Sequence, residues 1–274
     1  MEHEIYQEMV RLAAECQDAA LVTVISAAGS TPREEGAKML VRADRSIMGT
    51  IGGGNLEEQA IREAIATMRT GRTKRLSYHL TEGEDTGMAC GGELEVFIEP
   101  VLAEPGLFIF GGGHIGLALA KMARLAGYRI MVVDDRPEFA TPQRFPEAEQ
   151  TLVSDFSTAF SKLTVRNSDY IVIITHGHSG DEVVLEQALK TEAMYIGMIG
   201  SSKKNEAIFS HLRAKGISQE LLEKVYTPIG LRIRAQTPAE IAVSILAEMI
   251  KVRRSISETP VEQQAPSCYE GHTQ

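Results

Sequence analysis

Apolar positions recur along the chain in two rhythms, a three-to-four-residue helical spacing and short unbroken runs, and together they predict alternating helices and strands. Residues 4–17 place Ile5, Met9, Leu12 and Ala13 on one face, the pattern of an amphipathic helix. Ala20 to Ala27 is β-branched and apolar and predicts a strand, which Gly29-Ser-Thr-Pro32 breaks. Lys38–Arg42 and Ile47–Ile51 predict two short strands about an Ala43-Asp44-Arg45 turn. Leu56, Ala60, Ile61, Ala64, Ile65 and Met68 then form the buried face of a helix running to about Thr70, with Asn55 able to cap it and Gly71 to end it. Lys74–Leu80 and Leu94–Val101 read as strands around a loop, Thr81–Gly92, and Ala103-Glu-Pro-Gly106 is a compact linker.

Beyond the linker the runs lose their polar alternation. Leu107 to Phe110 is wholly apolar, as in a parallel strand buried on both faces. Gly111, Gly113 and Gly116 follow as G-x-G-x-x-G, which supplies a tight turn, a close backbone approach to pyrophosphate and a close helix–strand contact. His114 stands at the head of the helix that continues to Gly127. Ile130–Val133 is a second strand, and Asp134 and Asp135 close it where an acid can hold a ribose hydroxyl. Pro137–Pro146 carries three prolines and cannot be helix interior. Tyr170–Thr175 and Met194–Ile199 predict strands, and Asp181–Lys190 and Ser201–Lys215 helices. Thr237-Pro-Ala-Glu240 is a capping box that starts a last helix to about Val252.

Strand, glycine turn, helix, strand and acid in this order predict an α/β chain: a C-terminal Rossmann-like doubly wound parallel sheet (107–254) and a smaller N-terminal α/β (α+β) domain (1–103). Residues 255–274, polar and rich in Pro, Gln and Ser, predict a disordered tail. At 274 residues the chain is long enough for two cores. A formal net charge of −9 argues against nucleic acid or anionic membrane as a partner. Met-Glu-His-Glu lacks the basic start of a signal peptide, and the three scattered cysteines (Cys16, Cys90, Cys268) make no disulfide framework, so the expected compartment is the cytoplasm.

Four further loops carry candidate chemistry. Gly52, Gly53, Gly54 and Asn55 lead into a helix start, an anion site in principle or simply a tight turn. Cys90 with Gly91 and Gly92 is a thiol whose small neighbours let a bulky ligand approach. His176 and His178 lie at the carboxyl end of a predicted parallel strand and can face whatever the glycine turn holds; with Asp181 they lack a fourth ligand, and no metal is assigned. Gly200, Ser201, Ser202 and Lys203 stand at another strand end and either cap a helix or contact a phosphate. None of these spacings decides a reaction. The residues taken alone describe a two-domain protein that holds a nucleotide-bearing ligand.

The loops taken together resemble the XdhC/CoxI family, accessory factors of xanthine dehydrogenase and related molybdenum hydroxylases. The resemblance rests on Gly-Thr-Ile-Gly-Gly-Gly-Asn-Leu-Glu57, Asp85-Thr-Gly-Met-Ala-Cys-Gly-Gly92, Phe-Gly-Gly-Gly-His-Ile-Gly116, Val-Val-Asp-Asp-Arg-Pro-Glu-Phe-Ala140, Thr-His-Gly-His178, Tyr195-Ile-Gly-Met-Ile-Gly-Ser201 and Thr227-Pro-Ile-Gly-Leu231. It implies a chaperone that binds molybdenum cofactor (molybdopterin) as cargo, supports its sulfuration by a cysteine desulfurase and hands it to the apo-hydroxylase. A homodimer is the expected assembly. Cys90 is then the residue to test first. Two departures stand out: Asn55 occupies a position where many relatives carry a second cysteine, and Arg232 and Arg234 replace the family's usual Asp and Gly. The alternative reading is an NAD(P)-dependent oxidoreductase, with His176 or His178 as proton donor and Asp134 selecting NAD over NADP. A third is a scaffold that binds only protein partners.

Overall fold

The computed structural model describes residues 2–79 and 91–255. The N-terminal half comprises α1 (Glu2–Ala14), β1 (Ala19–Ala28), β2 (Lys38–Arg42), β3 (Ile47–Gly49), α2 (Gly54–Thr70), β4 (Lys74–His79) and β5 (Glu93–Val101). Its five strands form an antiparallel sheet in the order β3-β2-β1-β5-β4. Alternate side chains of β1 sort to opposite faces because the strand repeat is two residues. Ala20, Val22 and Val24 meet Leu56, Ala60 and Ala64 of α2. Ala19 and Leu21 meet Ile5 and Leu12 of α1. Each fully buried Leu or Ile in these layers contributes roughly 1.5–3 kcal/mol of transfer free energy.

The C-terminal half runs β6 (Gly106–Phe110), α3 (His114–Leu125), β7 (Arg129–Asp134), β8 (Gln150–Val153), α4 (Phe156–Ala159), β9 (Tyr170–Ile173), α5 (His178–Ala188), β10 (Tyr195–Met198), α6 (Ser202–Ala214), α7 (Gln219–Leu222) and α8 (Pro238–Ser255). All five strands are parallel, in the order β10-β9-β6-β7-β8. Leu107 and Ile109 face α3 and α8, while Phe108 and Phe110 face α5 and α6. Burial on both faces explains why β6 reads as an unbroken apolar run. The strand order reverses between β6 and β9, so the loops after them diverge to opposite faces and leave a crevice at their carboxyl ends.

Arg166 ties the halves together. Its guanidinium pairs with buried Asp169 and donates to the carbonyls of Cys16 (2.6 Å) and Glu104 (3.0 Å). Asp18 accepts from the Ala103 amide at 2.9 Å. These contacts sit at the start of β1 and at the amino ends of the parallel strands.

Several local expectations need correction. Asn55 does not cap α2; Gly53 precedes the helix with φ 84°, and Asn55 is already inside it. Helix α5 begins at His178 rather than Asp181, because Gly177 is its cap. Strand β8 carries no strong apolar signal in sequence, being an edge strand with only half-buried centres. The capping box at Thr237 forms as expected, with Glu240 accepting from the Thr237 and Gln236 amides and Thr237 Oγ1 from the Glu240 amide. The tail falls from residue 256 onward outside the described residues. Among those described, no helix is long and apolar enough to cross a membrane.

Candidate functional site

The turn after β6 assigns each motif glycine its own role. Gly111 has φ +122°, and a Cβ there would collide with the Ile174 carbonyl. A Cβ on Gly116 would collide with the Gly111 carbonyl, so this glycine permits the close contact of helix and strand. Gly113 differs: a Cβ there would meet nothing within 4 Å. It is the N-cap of α3 and offers no side-chain acceptor, so the first amides of that helix face open space with the positive end of the helix dipole behind them. His114, the first helical residue, is exposed.

Asp134 does not serve as the ribose acceptor that its position suggests. It is fully buried, and its carboxylate accepts from the Gly112 amide (2.7 Å), the Arg136 amide (3.0 Å) and Arg136 Nε (2.8 Å) and Nη2 (3.0 Å). About four acceptor positions are all it has. Burial pushes the group up, but the Arg136 guanidinium and the Gly112 and Arg136 amides outweigh that and hold it below the ordinary carboxylate range. Asp134 therefore builds the turn. The exposed acid beside the crevice is Asp135.

The proline-bearing segment after β7, a loop in sequence, folds back over the glycine turn. A Cβ on Gly112 would collide with the Phe139 carbonyl, so backbone packs on backbone there. Arg136 stacks on the Phe139 ring at 3.6 Å to the centroid, and Arg144 lies 5.1 Å from the same ring. Arg144 Nε donates to the Gly112 carbonyl at 2.9 Å, and the residue forms no ion pair among those described. Nothing in the spacing of Arg144 marked it as a site residue; only the return of the segment does so.

The loop after β9 is partly structural. Asp181 is fully buried, accepts from the Thr175 amide (3.1 Å) and hydroxyl (2.7 Å), and pairs with Lys204 at 2.6 Å. It links α5 to α6 and is not free to ligate a metal. His176 is exposed with Nδ1 3.5 Å from Asp135. Asp134, Asp135 and His176 bring ligand atoms within 4.8 Å of one another, but the Arg136 guanidinium already holds Asp134. The side chain of His178 is outside what is described. Ser201 accepts from the Lys204 amide and caps α6, the simpler of its two readings, and Gly200 packs against buried Asn205.

The N-terminal glycine turn is occupied by the chain itself. Glu57 reaches back from the first turn of α2 to accept from the Thr50 hydroxyl and the amides of Ile51 (3.0 Å) and Gly52 (3.3 Å). Burial pushes its carboxyl up, and these donors outweigh that and hold it below the ordinary range. Two amides of the run, Ile51 and Gly52, are therefore bonded to an internal anion, while α2 itself starts without a side-chain cap. Gly52 packs on Pro32, and Gly92 on the carbonyls of Ser30 and Ala28, so the Gly29–Pro32 segment joins the Gly52 turn to Gly91 and Gly92. Cys90 lies outside the described residues.

The two groups of candidates are not brought together within one chain. The Gly52 and Gly92 loops lie where β1 ends, at Ala28↔Glu93, whereas the junction lies at Ala19↔Val101. Helix α2 spans the same interval, about 25 Å for its 17 residues. The Gly111 crevice lies at the far end of the parallel sheet from that junction.

Comparison with known proteins agrees with this architecture. The pattern of the XdhC Rossmann domain matches residues 107–249, and that of the XdhC and CoxI family matches residues 12–79. The chain belongs to the XdhC and CoxI family.

Among its XdhC/CoxI relatives, the uncharacterized protein YqeB of Escherichia coli (strain K12) is 33% identical over 254 residues, 92% of this chain and 46% of that protein. A probable component of xanthine dehydrogenase from Bacillus subtilis (strain 168) is 30% identical over 59% of this chain and 47% of its own length. The molybdenum cofactor insertion chaperone PaoD of E. coli (strain K12) is 24% identical over 91% of this chain and 86% of PaoD. The chain thus spans about half the length of the first two. The crystal structure of a xanthine dehydrogenase from Bacillus halodurans shares the fold, with a TM-score of 0.51, 24% identity and 95% and 97% coverage of the two chains. In this XdhC/CoxI chain the segment Asp134–Ala140, one of those that carry the family resemblance, is what closes over the glycine turn.

Proposed function

We propose that this chain is an accessory factor that binds molybdenum cofactor as cargo, supports its sulfuration and passes it to a molybdenum hydroxylase of the xanthine dehydrogenase type. The observation that carries the reading is the open turn at Gly113. Space for a ligand, an uncapped helix start and Arg144, which has no ion pair among the described residues, converge there, and this suits the phosphate of a pterin cofactor. Membership in a family that includes a protein named as a molybdenum cofactor insertion chaperone supports the choice of ligand. A cysteine desulfurase is the proposed sulfur donor and a cytoplasmic homodimer of two-domain chains (1–103 and 107–254) the proposed assembly, with Cys90 of the second copy as the proposed thiol near the dithiolene, since within one chain the Gly92 and Gly111 loops lie apart. The chain's role here is binding and orientation: Arg144 and the α3 amides hold the phosphate, and Gly113 allows its approach.

The test is mass spectrometry of ligand co-purified from a molybdenum-replete host, followed by titration with molybdopterin. Bound pterin, lost in Gly113→Val, is the expected result; pterin-free protein that does not bind molybdopterin overturns the reading. One observation favours an NAD(P)-dependent oxidoreductase instead, the pairing of exposed Asp135 with His176 at 3.5 Å near the crevice. Calorimetry with NADH decides between them, since tight NADH binding without molybdopterin binding reverses the ranking.

A further inference from the structure

A cavity of about 360 Å³ opens where the two halves meet, at the amino ends of the parallel strands and away from the glycine turn. Its volume falls within the roughly 300–1,000 Å³ of small-molecule sites, which favour domain boundaries. The N-terminal half contributes Met68 and Arg69 from the last turn of α2, and the C-terminal half Tyr170, Met194 and Arg253. Exposed Leu102, on the segment that joins the halves, extends the apolar wall.

The polar groups of the lining lack acceptors rather than donors. Its acids are committed: Asp18 accepts from the Ala103 amide at 2.9 Å, and Glu104 pairs with Arg124 at 2.8 Å. Its cations are not matched in the same way. Arg253 donates to the Ala126 carbonyl at 3.3 Å and lies 4.8 Å from the Tyr128 ring centroid, contacts that fix the guanidinium without neutralising it. Neither Arg253 nor Arg69 forms an ion pair among the described residues. Ser168 Oγ, shut off from water, has no hydrogen-bond partner among them. The chain carries a net charge of −9, so carboxylates that could neutralise the two guanidiniums are plentiful, yet none described here reaches them. Guanidiniums and a hydroxyl that lack acceptors fit an occupant that brings an anionic one.

We infer that this cavity binds a small organic monocarboxylate, its carboxylate held by Arg253 and Arg69 and its apolar body by Met68, Leu102 and Met194. A planar carboxylate matches the fork of a guanidinium. A dianionic phosphate suits the space less well, because the Asp18 carboxylate lines it too. Helices α2 and α8 belong to different halves, so an occupant bound to both arginines ties the halves together and stabilises the folded chain by mass action.

The experiment is calorimetric titration of the full chain with 3-phenylpropionate, 3-phenylpropanamide and 2-phenylethyl phosphate, which share a ring and a short arm. Melting temperature is followed in parallel. The carboxylate is expected to bind at least about tenfold tighter than either of the others and to raise the melting temperature. That preference is lost in Arg253→Gln and weakened in Arg69→Gln. Arg69 is exposed, so its variant keeps the test open if the chain does not fold without Arg253. No binding of the carboxylate at millimolar concentration, an affinity equalled by the amide or the phosphate ester, or full preference in Arg69→Gln overturns the site. Molybdopterin affinity is expected to be unchanged in Arg69→Gln, because the glycine turn lies at the opposite ends of the strands. Its loss there would make Arg69 part of the cargo site and overturn a separate junction site.

Discussion

Gly52–Glu57 and Gly111–Gly116 look alike in sequence: a strand, a run of glycines, then a helix start. In the folded chain they differ. In the first an internal carboxylate, Glu57, takes the amides of Ile51 and Gly52. The second is left open at Gly113, with Arg144 bonded to the Gly112 carbonyl and free of any ion pair among the described residues. A glycine turn before a helix creates donors for an anion, and the rest of the chain decides whether that anion is internal or external.

The largest test of the contrast lies within the second turn. Gly112→Ala drives a Cβ into the Phe139 carbonyl, backbone against backbone. The expected loss is about 3 kcal/mol or more, read as a fall in the urea midpoint or as insoluble protein. Gly113→Ala meets nothing within 4 Å and should stay within about 0.5 kcal/mol of the parent. If both variants are equally stable, the segment 137–145 does not cover the turn as described.

Next in size is Glu57→Gln in the first turn. Charge-assisted bonds of this kind are worth about 1.5–3 kcal/mol each to charged groups, so a loss of about 2 kcal/mol is expected in equilibrium unfolding. No change in ligand affinity should accompany it, because the Ile51 and Gly52 amides are already taken by Glu57. A variant that weakens ligand binding while leaving stability intact would make the Gly52 turn a site after all.

Arg144→Met should act the other way round. Stability falls by about 1 kcal/mol, the value of the single bond to Gly112, while affinity for a phosphate-bearing ligand drops at least tenfold. Fluorescence or calorimetric titration reads the difference. Equal affinity in the variant would take Arg144 out of the site.

The smallest effect is on acid stability. Asp134 and Glu57 both have depressed carboxyl pKa values in the folded chain. Their contribution is complete above the ordinary carboxylate range near about 4 and disappears as pH falls through the folded-state values. The urea midpoint should therefore drop between about pH 5 and pH 3. Glu57→Gln should flatten that slope in part, since Glu8, Glu149 and other carboxylates are also held below their ordinary range, and an unchanged slope would take Glu57 out of the acid response.

Much of the fold was legible because its signals are local. Leu107–Phe110 is apolar at every position since the strand is buried on both faces, and Gly111 and Gly116 carry the turn and packing roles that their spacing implies, with open space at Gly113. The capping box at Thr237 and Glu240 forms as written. Where expectation failed, a longer-range partner had overridden a local preference. Asn55 lost the capping position because the glycine turn before it needs positive φ, and α2 starts at Gly54 without a side-chain cap. Strand β8 escaped notice because a half-buried edge lacks the apolar run that burial on two faces imposes.

The site divides along the same line. Sequence alone determined that a helix with free amides follows a glycine turn, because spacing and backbone freedom are properties of neighbouring residues. Only the tertiary structure decided that Asp134 turns inward while Asp135 stays exposed beside the crevice, and that Arg144 returns to Gly112 from 32 residues away. Only it decided, too, that the Gly52 and Gly111 turns lie at opposite ends of the chain's two sheets. Those facts depend on which groups the folded backbone brings within hydrogen-bond reach, and no periodicity along the chain encodes that.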